Sequence, residues 1–235
     1  MILLVDADSL IFASCYRKRE NPEDDIFYSE LSDATNKFHY QLMAIVNKLE
    51  DMYSIEQVLI FSGSRGNFRK YITKTYKANR NYQNKPPLLN EMHQHVKDNY
   101  NSIVGYGVET DDVVAKYWKN YSDELGRENV MIVSIDKDYK QFPALIYNYH
   151  YKHKVILDIS EDEAMFNFYE QMIIGDSADN VQYFKGKGKK FAEKYLAECL
   201  TPYQYTKKMY QLFKDVHKGK AKQRYIECYN LLKLR

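Results

Sequence analysis

Short apolar segments alternate with longer amphipathic ones along most of the chain. Residues 2–5, 58–61 and 130–135 are β-prone apolar runs without the alternation of a half-exposed strand, as is typical of interior strands in a parallel sheet. Apolar residues recur at helical spacing over residues 33–52, and a further helix is predicted over 88–99. The pattern predicts an α/β fold in which helices flank a mostly parallel sheet.

The second half of the chain continues this alternation and then becomes helical. A short strand is predicted within residues 101–109, followed by a helix with Thr110 as its N-cap. Residues 147–159 are typical of a hairpin or an edge pair of strands. Ser160 and Glu163 form a capping signal for the next helix, and the rest of the chain is predicted to be helical.

Two domains are expected, an α/β domain at residues 1–160 and a helical subdomain at residues 161–235. The 235 residues are 45% hydrophobic and 28% charged, a composition that can bury a core. No apolar run reaches the roughly 20 residues of a membrane span, and no basic region precedes the apolar start, which favours a buried strand over a signal peptide. Three scattered cysteines indicate a reducing, cytoplasmic location rather than a disulfide framework or a zinc site.

Basic and acidic residues are segregated along the chain, although the net charge is only +2. No Asp or Glu occurs over residues 57–90, where seven Lys and Arg residues fall, and further basic clusters lie at 185–190 and 207–224. This segregation favours a polyanion lying across the basic segments. Each cluster taken alone could instead be a solvated surface.

Acidic residues gather where predicted strands end and where the helix from Thr110 begins. The carboxyl ends of parallel strands share one edge of a sheet, where ligands bind. A pocket that collected these acids would be strongly anionic without cations, and carboxylate oxygens suit Mg²⁺ or Mn²⁺. Two such ions can support phosphodiester hydrolysis. The acids are Asp6, Asp8, Glu109, Asp111, Asp112, Asp136 and Asp138.

Each acidic group also has a simpler interpretation. Acids in the first turn of the helix from Thr110 could only stabilise its dipole, and those after the third strand could be turn residues. Asp176 and Asp179, in the segment GDSADN, could cap a helix. These simpler interpretations become less favourable when the groups are considered together, because all of them lie where a single site could contain them.

Five motifs follow one another over roughly residues 1–200: VDADSL, FRKYITKTYKANR, GVETDDVVA, SIDKDYKQF and IIGDSADNVQYFKGKGKKFAEKYL. In this order they resemble the 5′-nuclease family, which includes the 5′-nuclease domain of bacterial DNA polymerase I, phage 5′–3′ exonucleases and flap endonucleases. The resemblance implies a PIN-like α/β domain with two divalent-metal sites. Beside it, a helix–three-turn–helix element would hold duplex DNA.

The resemblance implies that eight carboxylates surround two Mg²⁺ or Mn²⁺ ions. Four of them, after the third strand and in GDSADN, would favour one ion and the others the second. Asp112 is also expected to be catalytic, whereas Asp8 is not at a ligand position of the family. The eight are Asp6, Glu109, Asp111, Asp112, Asp136, Asp138, Asp176 and Asp179.

The basic stretch near residues 62–90 would form an arch that engages a single-stranded 5′ arm. The resemblance places Lys77 and Arg80 near the scissile phosphate as catalytic and substrate-binding residues, with Arg69 beside them and Tyr76 stacked on a base. Cations at a reacting phosphodiester stabilise developing charge, and interleaved aromatics suit single strands. The alternative for Lys77 and Arg80 is a solvated, flexible loop.

The segment GKGKK would be the hairpin of the duplex-binding element. Its glycines let backbone amides approach a phosphate, the family often binds K⁺ there, and the lysines would add salt-sensitive affinity. The residues expected to bind substrate are Lys185, Gly186, Lys187, Gly188, Lys189 and Lys190.

Two positions depart from the family pattern. An aspartate is expected shortly after the second strand, yet Ser62 occupies that place in LIFSGSRGNFR. A serine is a neutral, weaker ligand, so metal affinity or rate is expected to be lower, or the protein could bind without cutting. The segment after GDSADN also lacks the usual proline-glycine pair, which leaves the shape of the hairpin open.

The leading hypothesis is a metal-dependent 5′–3′ exonuclease or flap endonuclease. Its expected substrates are 5′-flap, nicked or junction DNA and RNA primers paired to DNA. We expect a monomer, of phage type, that works with a separate replication polymerase in the host cytoplasm. One alternative is a haloacid-dehalogenase-like phosphatase with Asp6 as its nucleophile, because LLVDADS resembles the D-x-D opening of that class. The other is a non-catalytic, structure-specific DNA-binding protein.

Overall fold

A computed structural model describes residues 1–17, 25–80 and 85–235. Its centre is a five-stranded sheet with strand order β2-β1-β3-β4-β5. The predicted arch near 62–90 includes residues 81–84, which lie outside the described residues. The strands are β1 (Ile2–Asp6), β2 (Gln57–Phe61), β3 (Val130–Val133), β4 (Leu145–Asn148) and β5 (Val155–Asp158).

The sheet is parallel except at one edge, which confirms the predicted α/β class. Strand β1 lies between β2 and β3 and is parallel to both, with Asp6 paired to Phe61 and Val5 paired to Val133. Strand β4 runs parallel to β3, and β5 forms the predicted antiparallel hairpin with β4. Every residue of β1 and β3 is buried, as expected for central strands covered on both faces.

Nine α-helices occur in the described residues. The helices predicted near 33–52, 88–99 and 110, and those after Ser160, are present, whereas the short helices α1 and α3 were not predicted. The helices are α1 (Asp8–Ser14), α2 (Leu31–Glu50), α3 (Arg69–Ile72), α4 (Leu89–Tyr100), α5 (Thr110–Leu125), α6 (Glu161–Ile174), α7 (Lys189–Leu196), α8 (Pro202–His217) and α9 (Ala221–Leu232).

The start of α5 differs from the prediction. Glu109, not Thr110, is the N-cap, because the Glu109 and Asp112 side chains each accept a backbone N–H of the other residue in a capping box. The Thr110 hydroxyl instead donates to Asp8 Oδ2 at 2.7 Å. No strand forms within the segment 101–109, which makes only isolated parallel bridges from Ile103 and Tyr106.

Alternate residues of the central strands feed two separate apolar cores, as the period of two requires. Leu3 and Val5 pack with buried residues of α1, α2 and α4, whereas Leu4 packs on the opposite face with residues of α5. A third core joins helices α6–α9 and includes Tyr76. The predicted domain boundary after residue 160 stays a prediction. Among the described residues, no helix is long and apolar enough to cross a membrane.

Candidate metal centre and basic rim

Three carboxylates meet where β3 ends and α5 begins. Asp111 lies in the first turn of α5, and Asp136 and Asp138 follow β3 at the start of a 3₁₀ turn, Lys137–Gln141. One oxygen atom of each carboxylate lies within 4.8 Å of the other two. The carboxyl edge of the parallel sheet therefore brings Asp111 together with two acids that follow it by 25 and 27 residues in the sequence.

Asp6 lies at the end of β1 beside this cluster and is only 7% exposed. The Tyr139 hydroxyl donates to its Oδ2 at 2.8 Å, and the Asp8 backbone N–H donates to its Oδ1 at 3.3 Å. Burial, and next the charge of Asp8, raise the pKa of Asp6 to about 7. Burial and the neighbouring Asp8 therefore disfavour the charged form of Asp6 in the metal-free protein.

The pKa values of the three clustered acids are also raised. Burial, followed by the charge of Glu109, raises the pKa of Asp111 well above its ordinary value. Burial and the Asp136 charge raise the pKa of Asp138 to about 7, and burial raises the pKa of Asp136. None of these four acids forms an ion pair within 4.0 Å with a lysine or arginine in the described part of the chain. We call Asp6, Asp111, Asp136 and Asp138 the unpaired acids.

Asp112, one residue further along α5, is in the opposite situation. Its two oxygens accept hydrogen bonds from the Arg69 guanidinium at 2.6 and 2.8 Å, and the two side chains are 2% and 1% exposed. The backbone N–H groups of Glu109 and Arg235 add further hydrogen bonds at 3.2 Å. The Asp112 oxygens are therefore committed to protein donors, and its predicted roles in metal binding and catalysis stay predictions.

Arg69 is held by the end of the chain as well as by acids. Its Nε donates to the carbonyl oxygen of Leu231 at 2.9 Å, and its Nη2 donates to that of Lys233 at 3.0 Å. A third contact joins Nη1 to Glu109 at 3.3 Å. Arg69 thus ties α3 to α5 and to the C-terminal segment. Its predicted contact with substrate stays a prediction and would require it to leave this buried position.

Glu109 and Asp179 share the phenol of Tyr76. The Tyr76 hydroxyl lies 2.7 Å from an oxygen of each carboxylate and donates its single proton between them, and Tyr76 is only 3% exposed within the third core. Lys77 forms an ion pair with Glu109 and lies 3.5 Å from Asp179. Burial opposes ionisation of Glu109, but Lys77 outweighs it and holds the pKa below its usual value. The predicted stacking of Tyr76 on a base stays a prediction, because its ring faces are covered here.

Asp176 and Asp179 are also paired with cations. Arg80, which is half exposed, lies 3.0 Å from Asp179, and Lys137 lies 2.8 Å from Asp176. Burial of Asp176 is outweighed by the Lys137 hydrogen bond, which lowers the pKa of that carboxyl. Backbone N–H groups of Ala178 and Asp179 donate to Asp176 as well. We call Glu109, Asp112, Asp176 and Asp179 the paired acids.

The predicted hairpin connects α6 with α7. Gly186 has φ +76°, Gly188 is the N-cap of α7, and a Cβ atom at either glycine would meet nothing within 4 Å. The amine of Lys187 lies 3.8 Å from the centre of the Phe191 ring. Lys185, Lys189 and Lys190 are exposed. The loop therefore presents open backbone and cations on one surface, and its predicted contact with substrate stays a prediction.

Ser62 does not face the acids. It is 1% exposed, its hydroxyl lies 2.9 Å from the hydroxyl of Ser102, and its N–H donates to the Ile103 carbonyl oxygen. The side chain at the end of β2 is thus used to attach the segment after α4. It gives the centre neither a carboxylate nor an accessible hydroxyl.

Sequence reasoning missed several groups that hold the acids in place. Tyr139 orients Asp6, Gln171 of α6 donates to Asp138 Oδ1 at 2.8 Å, and Lys137 neutralises Asp176. Two of these three lie inside the motif SIDKDYKQF, between or beside the acids themselves. Their nearness in sequence was the available signal, whereas nothing in the sequence pointed to Gln171.

A mostly parallel sheet with acids at its carboxyl edge defines a PIN-like α/β protein, as the resemblance predicted. The chain belongs to the family described as 5′-3′ exonuclease, N-terminal resolvase-like domain, whose model matches residues 1–169. This membership favours the nuclease interpretation over a phosphatase of the haloacid dehalogenase type.

Individual relatives agree with this family. The 5′-3′ exonuclease of Buchnera aphidicola is 26% identical over 194 residues, which are 77% of this chain and 64% of the relative. The chain thus spans less than two thirds of that relative's length. A bacteriophage T5 flap endonuclease, solved with DNA and metal ions, is similar over 98% of this chain and 88% of its own, at 16% identity and a TM-score of 0.67. The catalytic core of Rad2 with DNA substrate is similar over 99% of this chain and 77% of its own, at 11% identity and a TM-score of 0.52.

Proposed function

We propose that this chain is a divalent-metal-dependent 5′-nuclease, a 5′–3′ exonuclease or flap endonuclease that hydrolyses phosphodiesters in DNA. Family membership supports the class of protein. The observation that carries the proposal is the cluster of three unpaired acids at the sheet edge, Asp111, Asp136 and Asp138. The cations Lys77 and Arg80 pair with the nearby acids Glu109 and Asp179. An anionic centre with a basic rim is suited to binding a DNA phosphate that also coordinates a metal ion.

The unpaired acids fit a hard divalent cation. The available donors are carboxylate oxygens alone, and three of them lie within 4.8 Å of one another, which suits Mg²⁺ or Mn²⁺ rather than a soft metal. Asp6, Asp111, Asp136 and Asp138 would hold the first ion. When bound, such ions supply an activated water and stabilise the leaving oxygen.

A second ion is proposed near Asp138, Asp176 and Asp179. Two of these acids have protein cations as partners, Lys137 at 2.8 Å and Arg80 at 3.0 Å. Binding of a second ion there would compete with those partners. We therefore expect the second position to be weaker than the first until a DNA phosphate draws the cations away.

The basic rim would act on the phosphate of the substrate. Lys77 and Arg80 line the same cleft as Glu109. A phosphate entering this cleft would accept hydrogen bonds from the amine and the guanidinium, which now contact Glu109 and Asp179. These donors would then stabilise the charge that develops on the phosphoryl oxygens in the transition state.

The hairpin between α6 and α7 would hold the duplex part of the substrate. Its backbone is open at Gly186 and Gly188, so amides can approach a phosphate closely. K⁺ is proposed to bind between this backbone and the DNA. The surrounding lysines would give sequence-independent affinity that falls as salt rises.

The finer points of the proposal extend what the sequence resemblance implies. The proposed substrates are 5′-flap, nicked and junction DNA, with RNA primers paired to DNA as a further substrate. We also propose that the chain acts as a monomer in the cytoplasm, alongside a separate replication polymerase.

A labelled 5′-flap duplex tests the proposal directly. In Mg²⁺ we expect cleavage near the junction, and in EDTA we expect none until Mg²⁺ is restored. A duplex of the same sequence with blunt ends is the matched control and should be cut more slowly. Full cleavage in EDTA, or none in Mg²⁺ or Mn²⁺, would contradict the proposal. Tight flap binding without any cleavage would favour the DNA-binding alternative.

A further inference from the structure

Another cavity, next to the cleft that Lys77 and Arg80 line, is cationic. It has a volume of about 340 Å³ and lies between the segment that follows β2 and one face of α4. In the part of the chain that the structure describes, its lining includes Arg65, Lys85 and Lys97 but neither Asp nor Glu. We call it the basic cavity. Its charge is opposite to that of the metal centre.

The three cations of the basic cavity are not neutralised by the protein. Among the described residues, none of them forms an ion pair with an acid within 4.0 Å. Lys77 and Arg80 differ, because both contact paired acids. Lys85 donates to the neutral Oδ1 of Asn90 at 2.8 Å. Cations of one sign that line a concave site attract an anion from solution.

The backbone around the basic cavity is fixed from two sides. The Arg65 N–H donates to the Gly105 carbonyl oxygen at 2.8 Å, and the Arg65 carbonyl oxygen accepts the Gly107 N–H at 2.7 Å. On the other side, His93 and Lys97 are one turn apart on α4 and therefore share a face of this helix. The cations thus extend from backbone positions that are already held in place, which lowers the cost of binding a ligand.

The basic cavity adjoins the cleft. Ser64 lines both of them. His93 lines the cavity, and its Nδ1 lies 3.8 Å from the carboxylate of Asp8, which lines the cleft. This Nδ1 is buried without a hydrogen-bond partner in the described residues. The Asp8 N–H in turn donates to the unpaired acid Asp6 at 3.3 Å. A strand that passes from the metal centre through the cleft can therefore place a further phosphate in the cavity.

We propose that the basic cavity binds the terminal 5′-phosphate of the strand that is cut. A phosphomonoester carries about 1.5 to 2 negative charges at neutral pH, whereas an internal phosphodiester carries one, so three cations without acidic partners suit the terminal group better. The protein would thus recognise the chemical state of the 5′ end and not only its presence. This proposal rests on the proposed function, because it positions the 5′ end of the same substrate.

Two duplexes with a one-nucleotide 5′ arm, ending in phosphate or in hydroxyl, test the proposal. Fluorescence anisotropy in EDTA measures binding, and single-turnover assays in Mg²⁺ measure cleavage. The wild type should bind the phosphorylated arm about 10-fold more tightly, as expected for one hydrogen bond to a charged group. This preference should nearly disappear when Arg65→Gln and Lys97→Gln are combined. The matched control combines Lys116→Gln with Lys119→Gln on exposed positions of α5, and it should keep the preference.

Equal binding of the two ends by the wild type would overturn the proposal. A preference that survives in the variant of Arg65 and Lys97, folded as judged by near-ultraviolet circular dichroism, would also overturn it. A longer single-stranded arm carries its 5′ end beyond the cavity, so the wild type should then lose the preference, and an undiminished preference would place the phosphate site elsewhere. If the wild type cuts neither duplex in Mg²⁺ or Mn²⁺, the proposed function fails, whereas the binding ratio in EDTA still decides whether the cavity selects a 5′-phosphate.

Discussion

The unpaired and the paired acids lie side by side at one edge of the sheet, yet their environments differ in one respect. Asp112 has Arg69, Glu109 has Lys77, and Asp176 has Lys137 as a cationic partner. The unpaired acids have hydrogen-bond donors but no such partner among the described residues. The paired acids are therefore satisfied by the fold, whereas the unpaired acids are disfavoured in their charged forms unless they bind a cation.

The pKa directions follow the same division. The pKa of Asp6 and that of Asp138 are raised to about 7, mainly by burial. Lysine partners overcome burial at Glu109 and Asp176, and lower the pKa of both. Functional sites commonly keep groups whose arrangement costs stability. The unpaired acids are therefore expected to destabilise the metal-free fold. The following variants test this expectation.

Neutralising an unpaired acid should have the largest effect on activity and should stabilise the metal-free protein. Asp111→Asn removes one carboxylate of the central three, so we expect flap cleavage to fall about 10³-fold. An amide avoids the burial and the repulsion from Glu109 that disfavour the Asp111 carboxylate, so the Tm in EDTA should rise by about 2–4 °C. Cleavage assays and thermal unfolding in EDTA measure the two effects. A fall in Tm would mean that Asp111 stabilises the metal-free protein, which would contradict its place among the unpaired acids.

Neutralising a paired acid should instead destabilise the protein. Asp112→Asn leaves the Arg69 guanidinium buried with a weaker acceptor, so the free energy of unfolding should fall by about 3–5 kcal/mol. Denaturant unfolding in EDTA gives this value, and Asp123→Asn serves as the exposed control. If Asp112→Asn were as stable as the wild type, the pairing with Arg69 would have no structural importance.

A cation of the basic rim should affect catalysis more than folding. Lys77→Gln removes a proposed donor to the phosphoryl group, so kcat should fall about 10²-fold. The affinity for Mn²⁺ should stay near that of the wild type, because Lys77 contacts Glu109 and not an unpaired acid. Single-turnover cleavage with a Mn²⁺ titration separates the two effects. Loss of Mn²⁺ binding together with normal turnover would contradict this assignment.

The metal-free protein should lose stability as the pH rises from 5 to 8. The folded state favours the protonated forms of Asp6 and Asp138, whose ordinary pKa is 3.8 and whose folded pKa is about 7. Their stabilising contribution is present at low pH and disappears as the pH passes 7. We expect the Tm in EDTA to fall by on the order of 5 °C. The fall should be smaller in Asp138→Asn and in saturating Mg²⁺, and an equal fall in all three would refute this origin.

The smallest effect is expected at the hairpin, because Lys187 contacts Phe191 and forms no ion pair with either group of acids in the described residues. Lys187→Gln should weaken binding of duplex DNA uniformly across sequences and reduce the slope of log K against log salt by about 1. Cleavage at saturating DNA should be unchanged. Fluorescence anisotropy at several salt concentrations measures the slope, and an unchanged slope would place the duplex elsewhere.

Most of the fold could be predicted because its central strands are continuous apolar runs with long amphipathic helices between them. The helices α1 and α3 have seven and four residues, too few to show a helical period. The N-cap of α5 was assigned to Thr110 from composition alone. Glu109 takes that position because it pairs reciprocally with Asp112, an arrangement that residue preference did not favour.

The acids of the site could be identified from the sequence as a set. The sequence did not show which of them are paired with cations and which are unpaired. Asp111 and Asp112 are adjacent in the chain and identical in chemistry, yet only Asp112 is buried against a guanidinium. The difference arises from α3 and from the carbonyl oxygens of Leu231 and Lys233, which fix Arg69 from 160 or more residues away. Pairings of this kind depend on tertiary contacts that no local motif records.

A crystal soaked in Mn²⁺ tests the central claim most directly, because manganese can be located by its anomalous scattering. The account predicts a peak bounded by the carboxylates of Asp111, Asp136 and Asp138, with the Arg69–Asp112 pair intact. A peak held by Asp112 in place of Arg69, or no peak between the three unpaired carboxylates, would contradict it.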